Sequence, residues 1–156
     1  MSEKDILNMT EKAMSRNIVC GVIYNQDGLI LLGKRPSQRG AYRDQWGIVG
    51  GGIGEKEDAE TALLREIKEE AGLIDVVISR KIDFSQELTA SKRFPDGTDK
   101  LMHMKTIYYT CIANQDELCP NDEWEELRWM DKKAIREIVP DLNDPTKVLF
   151  KKIGTI

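Results

Sequence analysis

Residues 51–73 read GGIGEKEDAETALLREIKEEAGL, a run of glycines followed by a helix-forming segment. Helical periodicity starts at Asp58 and continues to Ala71, and the next residue, Gly72, is of a type that commonly ends a helix. An apolar stripe with helical spacing consists of Ala59, Leu63, Ile67 and Ala71. We therefore predict an amphipathic helix over residues 58–71 that packs this stripe against a core.

Three glutamates of this segment lie on one side of the predicted helix. Glu66, Glu69 and Glu70 are spaced at i, i+3 and i+4, so they project from one arc of roughly 100°. The arc overlaps the edge of the apolar stripe, and we expect the carboxylates at a protein-lined border. Like charges at this spacing repel, and a hard divalent cation such as Mg²⁺ would relieve the repulsion. A solvated acidic face is the alternative, because such spacing is common on exposed helices.

The whole pattern of this region resembles the Nudix box at every specified position. It consists of Gly51, five residues, Glu57, seven residues and then REIKEEAGL at residues 65–73. The glycines allow the backbone to turn sharply between strand and helix and to approach a ligand closely. The resemblance implies a metal-dependent hydrolase that cleaves a nucleoside diphosphate linked to another group. It also implies Mg²⁺ as the cofactor, with Mn²⁺ left open as a substitute.

The resemblance assigns roles to individual residues of the box. It implies that Glu66, Glu69 and Glu70 bind metal or activate water, with Glu66 as the first choice for the general base. It also implies that the backbone carbonyl of Gly50, directly before the box, completes the metal coordination. Arg65 lies four residues before Glu69 and can hold a carboxylate in orientation through its rigid, planar fork.

A further acidic ligand from outside the box is expected from the same resemblance. The sequence does not choose among Asp122, Glu123 and Glu126, and Glu123 is taken as the working metal ligand. A charged loop beside an edge strand is the alternative for all three. Trp46 and Trp129 are expected in the core rather than stacked on a nucleobase.

The segments around the box follow one another in an order that indicates a mixed sheet. Extended segments are predicted at residues 17–24, 29–34, 46–50, 73–84, 101–112 and 125–130. Helices are predicted at residues 131–139 and 145–153. This order fits a single α/β domain over residues 1–156, an α/β/α sandwich with a mixed β-sheet. Residues 1–16 are expected to form a short helix or a loose N-terminal arm.

Composition and charge exclude several classes of protein. Hydrophobic residues make up 40% and charged residues 32% of the chain, which is typical of a globular protein, and no apolar run could cross a membrane. The net charge of −4 disfavours general nucleic-acid binding. Cys20, Cys111 and Cys119 are odd in number and widely spaced, which favours reduced thiols and a cytoplasmic location. The lone His103 excludes a two-histidine zinc site, and a homodimer is left open.

A wider likeness to the bacterial nucleoside triphosphatase branch of the family, which prefers pyrimidine deoxynucleotides, directs the substrate prediction. The likeness lies at residues 18–20, 84–85, 96–97, 104, 111 and 141–143. It implies that a small nucleotide, a nucleoside triphosphate and first of all a deoxynucleotide, is cleaved to the monophosphate and pyrophosphate. The alternatives are hydrolysis of a nucleotide sugar or ADP-ribose, and a sensor domain that binds a nucleotide without catalysis.

Residues 85–100 combine charged and aromatic groups with a Pro-Asp-Gly turn. If the stretch folds over the box, Lys92 and Arg93 would offer cations to phosphates and Phe94 an aromatic face to a base. An exposed hairpin with solubilising charges is the alternative. Residues 87–91 contain neither the proline nor the tyrosine typical of the branches that act on ADP-ribose and on dinucleoside polyphosphates.

Overall fold

Residues 15–156 are described by a computed structural model, in which helices surround one mixed sheet. The strands are β1 (Ser15–Tyr24), β2 (Ile30–Lys34), β3 (Gly40–Ala41), β4 (Trp46–Gly47), β5 (Gly50–Gly52), β6 (Val76–Arg93), β7 (Asp99–Ala113) and β8 (Glu126–Met130). The helices are α1 (Ala59–Ala71), α2 (Lys132–Glu137) and α3 (Asp144–Ile153), and a 3₁₀ helix (Val139–Asp141) lies between α2 and α3.

Strand β1 lies at the centre of the sheet and pairs with three neighbours. It is parallel to β7 over its whole length and antiparallel to β2 and β5. The strand order is β3-β6-β7-β1-β2-β4, with β5 also paired to β1 and β8 also paired to β2. The N–H of Gly28 donates to the carbonyl of Asn25 over 3.0 Å and closes the turn between β1 and β2. The predicted mixed sheet is therefore confirmed.

Helices cover both faces of the sheet because apolar residues occur on both faces of its central strands. Successive side chains of a strand point to opposite sides. In β1, Val19 and Ile23 pack in the same core as α1, whereas Val22 packs in a second core with the other helices. That second core contains Leu149 and Phe150 of α3, both fully buried. The predicted α/β/α sandwich is confirmed.

Helix α1 begins and ends where the sequence predicts. The carboxylate of Asp58 accepts a hydrogen bond from the N–H of Thr61 over 2.7 Å, which caps the first turn. Gly72 adopts a φ of 72°, a left-handed conformation without steric cost for glycine, and its N–H donates to the carbonyl of Lys68. These caps fix the length of the helix that carries the three glutamates.

Strand β1 starts earlier and strand β6 ends later than the sequence predicts, because pairing across the sheet overrides the local pattern. Strand β1 begins at Ser15 and includes Arg16, since both residues pair with β7. The predicted arm over residues 1–16 is therefore wrong at its end, and its remainder lies outside the described residues. Strand β6 continues to Arg93 instead of ending at residue 84, because β7 pairs with it along the polar segment.

Two further predictions need correction in detail. The extended segment over residues 46–50 is two strands, because β4 pairs with β2 while β5 pairs with β1. The helix predicted over residues 131–139 ends at Glu137, and the backbone then tightens into the 3₁₀ helix that contains Pro140. Within residues 15–156, no helix has the length and apolar character needed to span a bilayer.

Candidate active site

A cavity of about 380 Å³ lies where β1, β5, α1 and the hairpin of β6 and β7 meet. Its walls include every residue predicted to bind metal, namely Gly50, Glu66, Glu69, Glu70 and Glu123. The other two acidic candidates, Asp122 and Glu126, are not among its lining residues. Arg65 does not line the cavity either, but it forms ion pairs with Glu66 and Glu69, which do. The fold thus brings the predicted ligands together around one space.

The glycines of β5 allow the carboxylate-bearing helix to approach the strand. A Cβ atom at Gly51 would lie 2.3 Å from the carboxyl carbon of Glu66 and 2.6 Å from each of its oxygens. A Cβ atom at Gly50 would lie 2.2 Å from the carbonyl oxygen of Val19. A side chain at residue 50 would collide with the backbone of β1, and one at residue 51 would displace the Glu66 carboxylate, so the present packing of β5 depends on glycine at both positions.

Arg65 holds several carboxylates at once through its planar fork. Its Nε and Nη2 donate to the two oxygens of Glu57 over 2.8 and 2.7 Å. Its Nη1 donates to Glu66 over 2.9 Å and to Glu69 over 3.3 Å. Hydrogen bonds from Arg65 and from the N–H of Gly54 lower the pKa of Glu57 to about 2. Arg65 therefore orients the glutamates, with Glu57 as its bidentate partner.

Glu70 is a buried carboxyl group beside a second carboxylate. The residue is 2% exposed, and the indole Nε1 of Trp124 donates to its Oε1 over 2.8 Å. Burial, followed by a hydrogen bond shared with Glu66, raises the pKa of Glu70 to about 9. A carboxyl group in this position needs either a proton or a nearby cation. Burial beside Glu66 therefore favours the protonated form of Glu70 unless a cation lies nearby.

Trp124 and Arg35 are site residues that the sequence reasoning missed. The guanidinium of Arg35 lies 3.9 Å above the Trp124 ring, and a Cβ atom at Gly33 would lie 2.4 Å from that ring. Trp124 therefore packs closely against both residues, with its N–H directed at Glu70. The available signal was a tryptophan inside the acidic run NDEWEE, since a buried indole usually finds an acceptor.

The three acidic candidates outside the box occupy different environments. Glu123 lines the cavity and accepts a hydrogen bond from Nη1 of Arg35 over 3.3 Å. Asp122 has a side chain 94% exposed and forms an ion pair with Arg39 at 3.6 Å, while Glu126 pairs with Arg128. Position therefore favours Glu123 over its two neighbours.

The oxygen ligands around the cavity suit a hard divalent cation in their chemistry. Carboxylate oxygens and a backbone carbonyl are the ligands that Mg²⁺ takes. Within residues 15–156, however, no three acidic, histidine or cysteine side chains form a ready-made metal cluster. Arg65 engages Glu66 and Glu69, and Trp124 engages one oxygen of Glu70. These carboxylates must therefore exchange some of their present partners in order to coordinate a metal ion.

The hairpin of β6 and β7 forms a wall of the cavity away from the carboxylates. Its lining residues are Leu88, Lys92, Met102, Met104, Thr106 and Tyr108. Lys92, Arg93 and Phe94 are the three groups predicted to face the substrate, and of these Lys92 lines the cavity. Arg93 instead forms a fork with Asp99 at 3.0 and 3.1 Å, and Phe94 lies beneath the ammonium groups of two lysines, including Lys100.

Three further aromatic residues, of which only Tyr42 lines the cavity, have defined positions. Tyr42 lines it from the segment that follows β3 and has a φ of 55°, which is uncommon for a residue with a side chain. Trp46 is buried in the second core, as predicted. Trp129 is half-buried against the first core and donates from Nε1 to the carbonyl of Asp116 over 2.8 Å.

Comparisons with known proteins identify the family of this chain. Residues 14–151 match the NUDIX domain. A nucleoside triphosphatase NudI of Escherichia fergusonii is 36% identical over 144 residues, and one of Enterobacter sp. is 31% identical over 142; each match covers 90% of this chain and 98% of the relative. The crystal structure of a MutT protein from Methanosarcina mazei has a TM-score of 0.70 at 18% identity, covering 90% of this chain and 93% of that one. The chain belongs to the Nudix family of hydrolases.

Proposed function

We propose that the protein hydrolyses a nucleoside triphosphate to the monophosphate and pyrophosphate with Mg²⁺ as its cofactor. The observation that carries this proposal is the convergence of Gly50, Glu66, Glu69, Glu70 and Glu123 on one cavity. Members of the Nudix family generally use divalent metal ions and act on small nucleotides. The named relatives, which are similar over nearly their whole length, are nucleoside triphosphatases.

The carboxylates and the glycine carbonyl are the proposed metal-binding groups. Glu66, Glu69, Glu70 and the carbonyl of Gly50 would hold the ion from the box, and Glu123 would contribute from the loop before β8. A bound Mg²⁺ supplies charge neutralisation for the phosphates and lowers the pKa of a coordinated water. Glu70 lies at the buried end of this group and Glu69 at the exposed end, so the site extends from the core to solvent.

Glu66 is the proposed general base, and Arg65 is its positioning residue. The Glu66 carboxylate is held against Gly51 on one side and by Nη1 of Arg65 on the other, at 2.9 Å. Its place among the other carboxylates that line the cavity would let it accept a proton from the attacking water. Arg65 also donates two hydrogen bonds to Glu57. These bonds would keep the guanidinium in place if Glu66 moved.

The remainder of the cavity is the proposed nucleoside-binding region. Its walls are mixed, with apolar side chains such as Met102 and Met104 beside the polar groups of Thr106 and Tyr108. A small number of polar groups in a largely apolar surface is typical of a pocket that orients a planar ligand. The wider likeness to the pyrimidine deoxynucleotide branch makes those triphosphates the first substrates to test.

A substrate panel tests the proposed function. Ribo- and deoxynucleoside triphosphates, ADP-ribose, nucleotide sugars and diadenosine polyphosphates would be assayed with Mg²⁺ and with Mn²⁺, scoring pyrophosphate and phosphate release separately. We expect a deoxynucleoside triphosphate to have the highest kcat/KM and to release pyrophosphate. If ADP-ribose or a nucleotide sugar exceeded every triphosphate by about tenfold, a difference of roughly 1.4 kcal/mol, the substrate proposal would fail while hydrolysis itself would stand.

A further inference from the structure

The guanidinium of Arg16 lies directly against Gly52 at the edge of the cavity. A Cβ atom at Gly52 would lie 1.8 Å from Nη2 of Arg16, 2.7 Å from Cζ and 3.1 Å from Nε. The guanidinium therefore occupies the space where a side chain at residue 52 would stand. Arg16 is among the residues that line the cavity. Glycine at position 52 is thus a requirement for the present location of this cation.

Neighbouring glycines of β5 accommodate groups of opposite charge. The Glu66 carboxylate lies against Gly51, and the Arg16 guanidinium lies against Gly52. Successive Cβ directions along a strand point to opposite faces, so the two charged groups approach β5 from different sides. The carbonyl of Gly52 already accepts a hydrogen bond from Nη2 of Arg65 over 3.1 Å. Arg65 forms an ion pair with Glu66, whereas Arg16 forms no ion pair with that carboxylate.

Arg16 has no ion-pair partner among residues 15–156. Three cationic residues line the cavity, and one of them, Arg35, is paired with Glu123 at 3.3 Å. Arg16 and Lys92 form no ion pair with the described part of the chain. Lys92 lies in β6 opposite Lys100 of β7, and Arg16 lies in the central strand β1 opposite Met104 of β7. Of the two cations, Arg16 is the one whose guanidinium lies against β5, beside the glycine carbonyl and the box carboxylates.

We propose that Arg16 binds the terminal phosphates of the substrate, the part released as pyrophosphate. The guanidinium fork matches the geometry of phosphate oxygens and donates charge-assisted hydrogen bonds to them. An arginine that lines a cavity from a strand, and that no carboxylate within residues 15–156 engages, is available for such an anion. The inference rests on the proposed function, because that function supplies the substrate. It can nevertheless be tested without a nucleotide, by measuring the binding of inorganic pyrophosphate.

The test compares the binding of pyrophosphate by Arg16→Gln, Arg16→Lys and the wild-type protein. Isothermal titration with inorganic pyrophosphate and Mg²⁺ should give a Kd about ten- to a hundredfold higher for Arg16→Gln. Arg16→Lys should fall between the two, because an ammonium keeps the charge but loses the fork. Arg136→Gln is the matched control, since Arg136 is an exposed arginine of α2 outside the cavity lining.

Gly52→Ala provides a second test that leaves Arg16 in the sequence. The added methyl group must displace the guanidinium, so this variant should also bind pyrophosphate more weakly than the wild type. With the best triphosphate, Arg16→Gln should raise KM by a similar factor while kcat changes by less than about threefold. A folded Arg16→Gln protein with the wild-type Kd for pyrophosphate would overturn the inference. A wild-type protein that hydrolyses no triphosphate would overturn the proposed function instead, whatever the Kd values.

Discussion

The indole N–H of Trp124 donates a hydrogen bond of 2.8 Å to the carboxyl group of Glu70, and both residues are buried. This bond joins the loop before β8 to the helix of the Nudix box, across 54 positions of the chain. Arg35 covers one side of the indole ring, and Gly33 allows β2 to pack against it. The position of the most buried box carboxyl group therefore depends on a residue outside the box.

Replacing Trp124 with phenylalanine should weaken both the fold and catalysis. The ring remains, but Oε1 of Glu70 loses its donor, and a buried acceptor without a partner costs about 1–3 kcal/mol of unfolding free energy. Denaturant unfolding and kcat measure the two effects. Trp129→Phe is the matched control, since its N–H bonds to the carbonyl of Asp116 and the residue does not line the cavity. Equal kcat values for the two variants would contradict a positioning role for Trp124.

Gly33→Ala should disturb the packing of the Trp124 ring against β2, and with it the hydrogen bond from Trp124 to Glu70. The new methyl group would lie 2.4 and 2.7 Å from ring carbons of Trp124, and overpacking of this kind costs about 1–3 kcal/mol. We expect a lower melting temperature together with reduced kcat. Gly21→Ala is the control, because its nearest neighbours would stand at an ordinary 3.4 Å. If Gly33→Ala and Gly21→Ala had the same melting temperature and the same kcat, the close packing of β2 on Trp124 would have no functional consequence.

The ion pair between Glu57 and Arg65 should give stability a characteristic pH dependence. Because the folded-state pKa of Glu57 is lowered from its ordinary 4.5 to about 2, its contribution is complete above pH 4.5 and is lost as the pH falls towards 2. The difference in melting temperature between wild type and Glu57→Gln should therefore shrink over that interval. Glu55→Gln, at an exposed position of the same loop, serves as the control. A gap that stayed constant down to pH 2 would argue against this ion pair.

Glu70→Gln should separate the structural role of this residue from metal binding. A glutamine can accept the hydrogen bond from Trp124 and donate one to Glu66, so the metal-free variant should melt at or above the wild-type temperature. Mg²⁺ should raise the melting temperature of the wild type but not that of the variant, because a ligand stabilises only the state that binds it. Differential scanning calorimetry with and without Mg²⁺ makes the comparison. An undiminished Mg²⁺ shift in Glu70→Gln would remove this residue from the proposed metal site.

Local spacing predicted those parts of the site that lie on one element. The arc of Glu66, Glu69 and Glu70 follows from helix geometry, and the caps at Asp58 and Gly72 follow from residue type. The location of Glu66 and Glu70 at a protein-lined border also follows from the overlap with the apolar stripe, whereas Glu69 is exposed. The helix and its carboxylates could therefore be located before any tertiary contact was known.

Contacts between distant segments could not be predicted in the same way. The bond from Trp124 to Glu70 depends on how the loop before β8 returns to α1, and no local period encodes it. The sequence places Arg16 in the predicted N-terminal arm, and only the pairing of β1 with β7 places it in the sheet. A different pairing, that of β6 with β7, extends β6 to Arg93. Tertiary pairing decided these positions.

The turnover of Glu69→Gln in Mg²⁺ tests the central claim most directly. Glu69 is half-exposed and is held by Arg65 at 3.3 Å, so its replacement should leave the fold intact. We expect kcat with the best triphosphate to fall by several orders of magnitude, since a metal-binding carboxylate acts in the transition state. Glu60→Gln, on the exposed first turn of the same helix, should retain wild-type turnover. Near-normal kcat in a folded Glu69→Gln protein would contradict the assignment of the box carboxylates as the catalytic metal site.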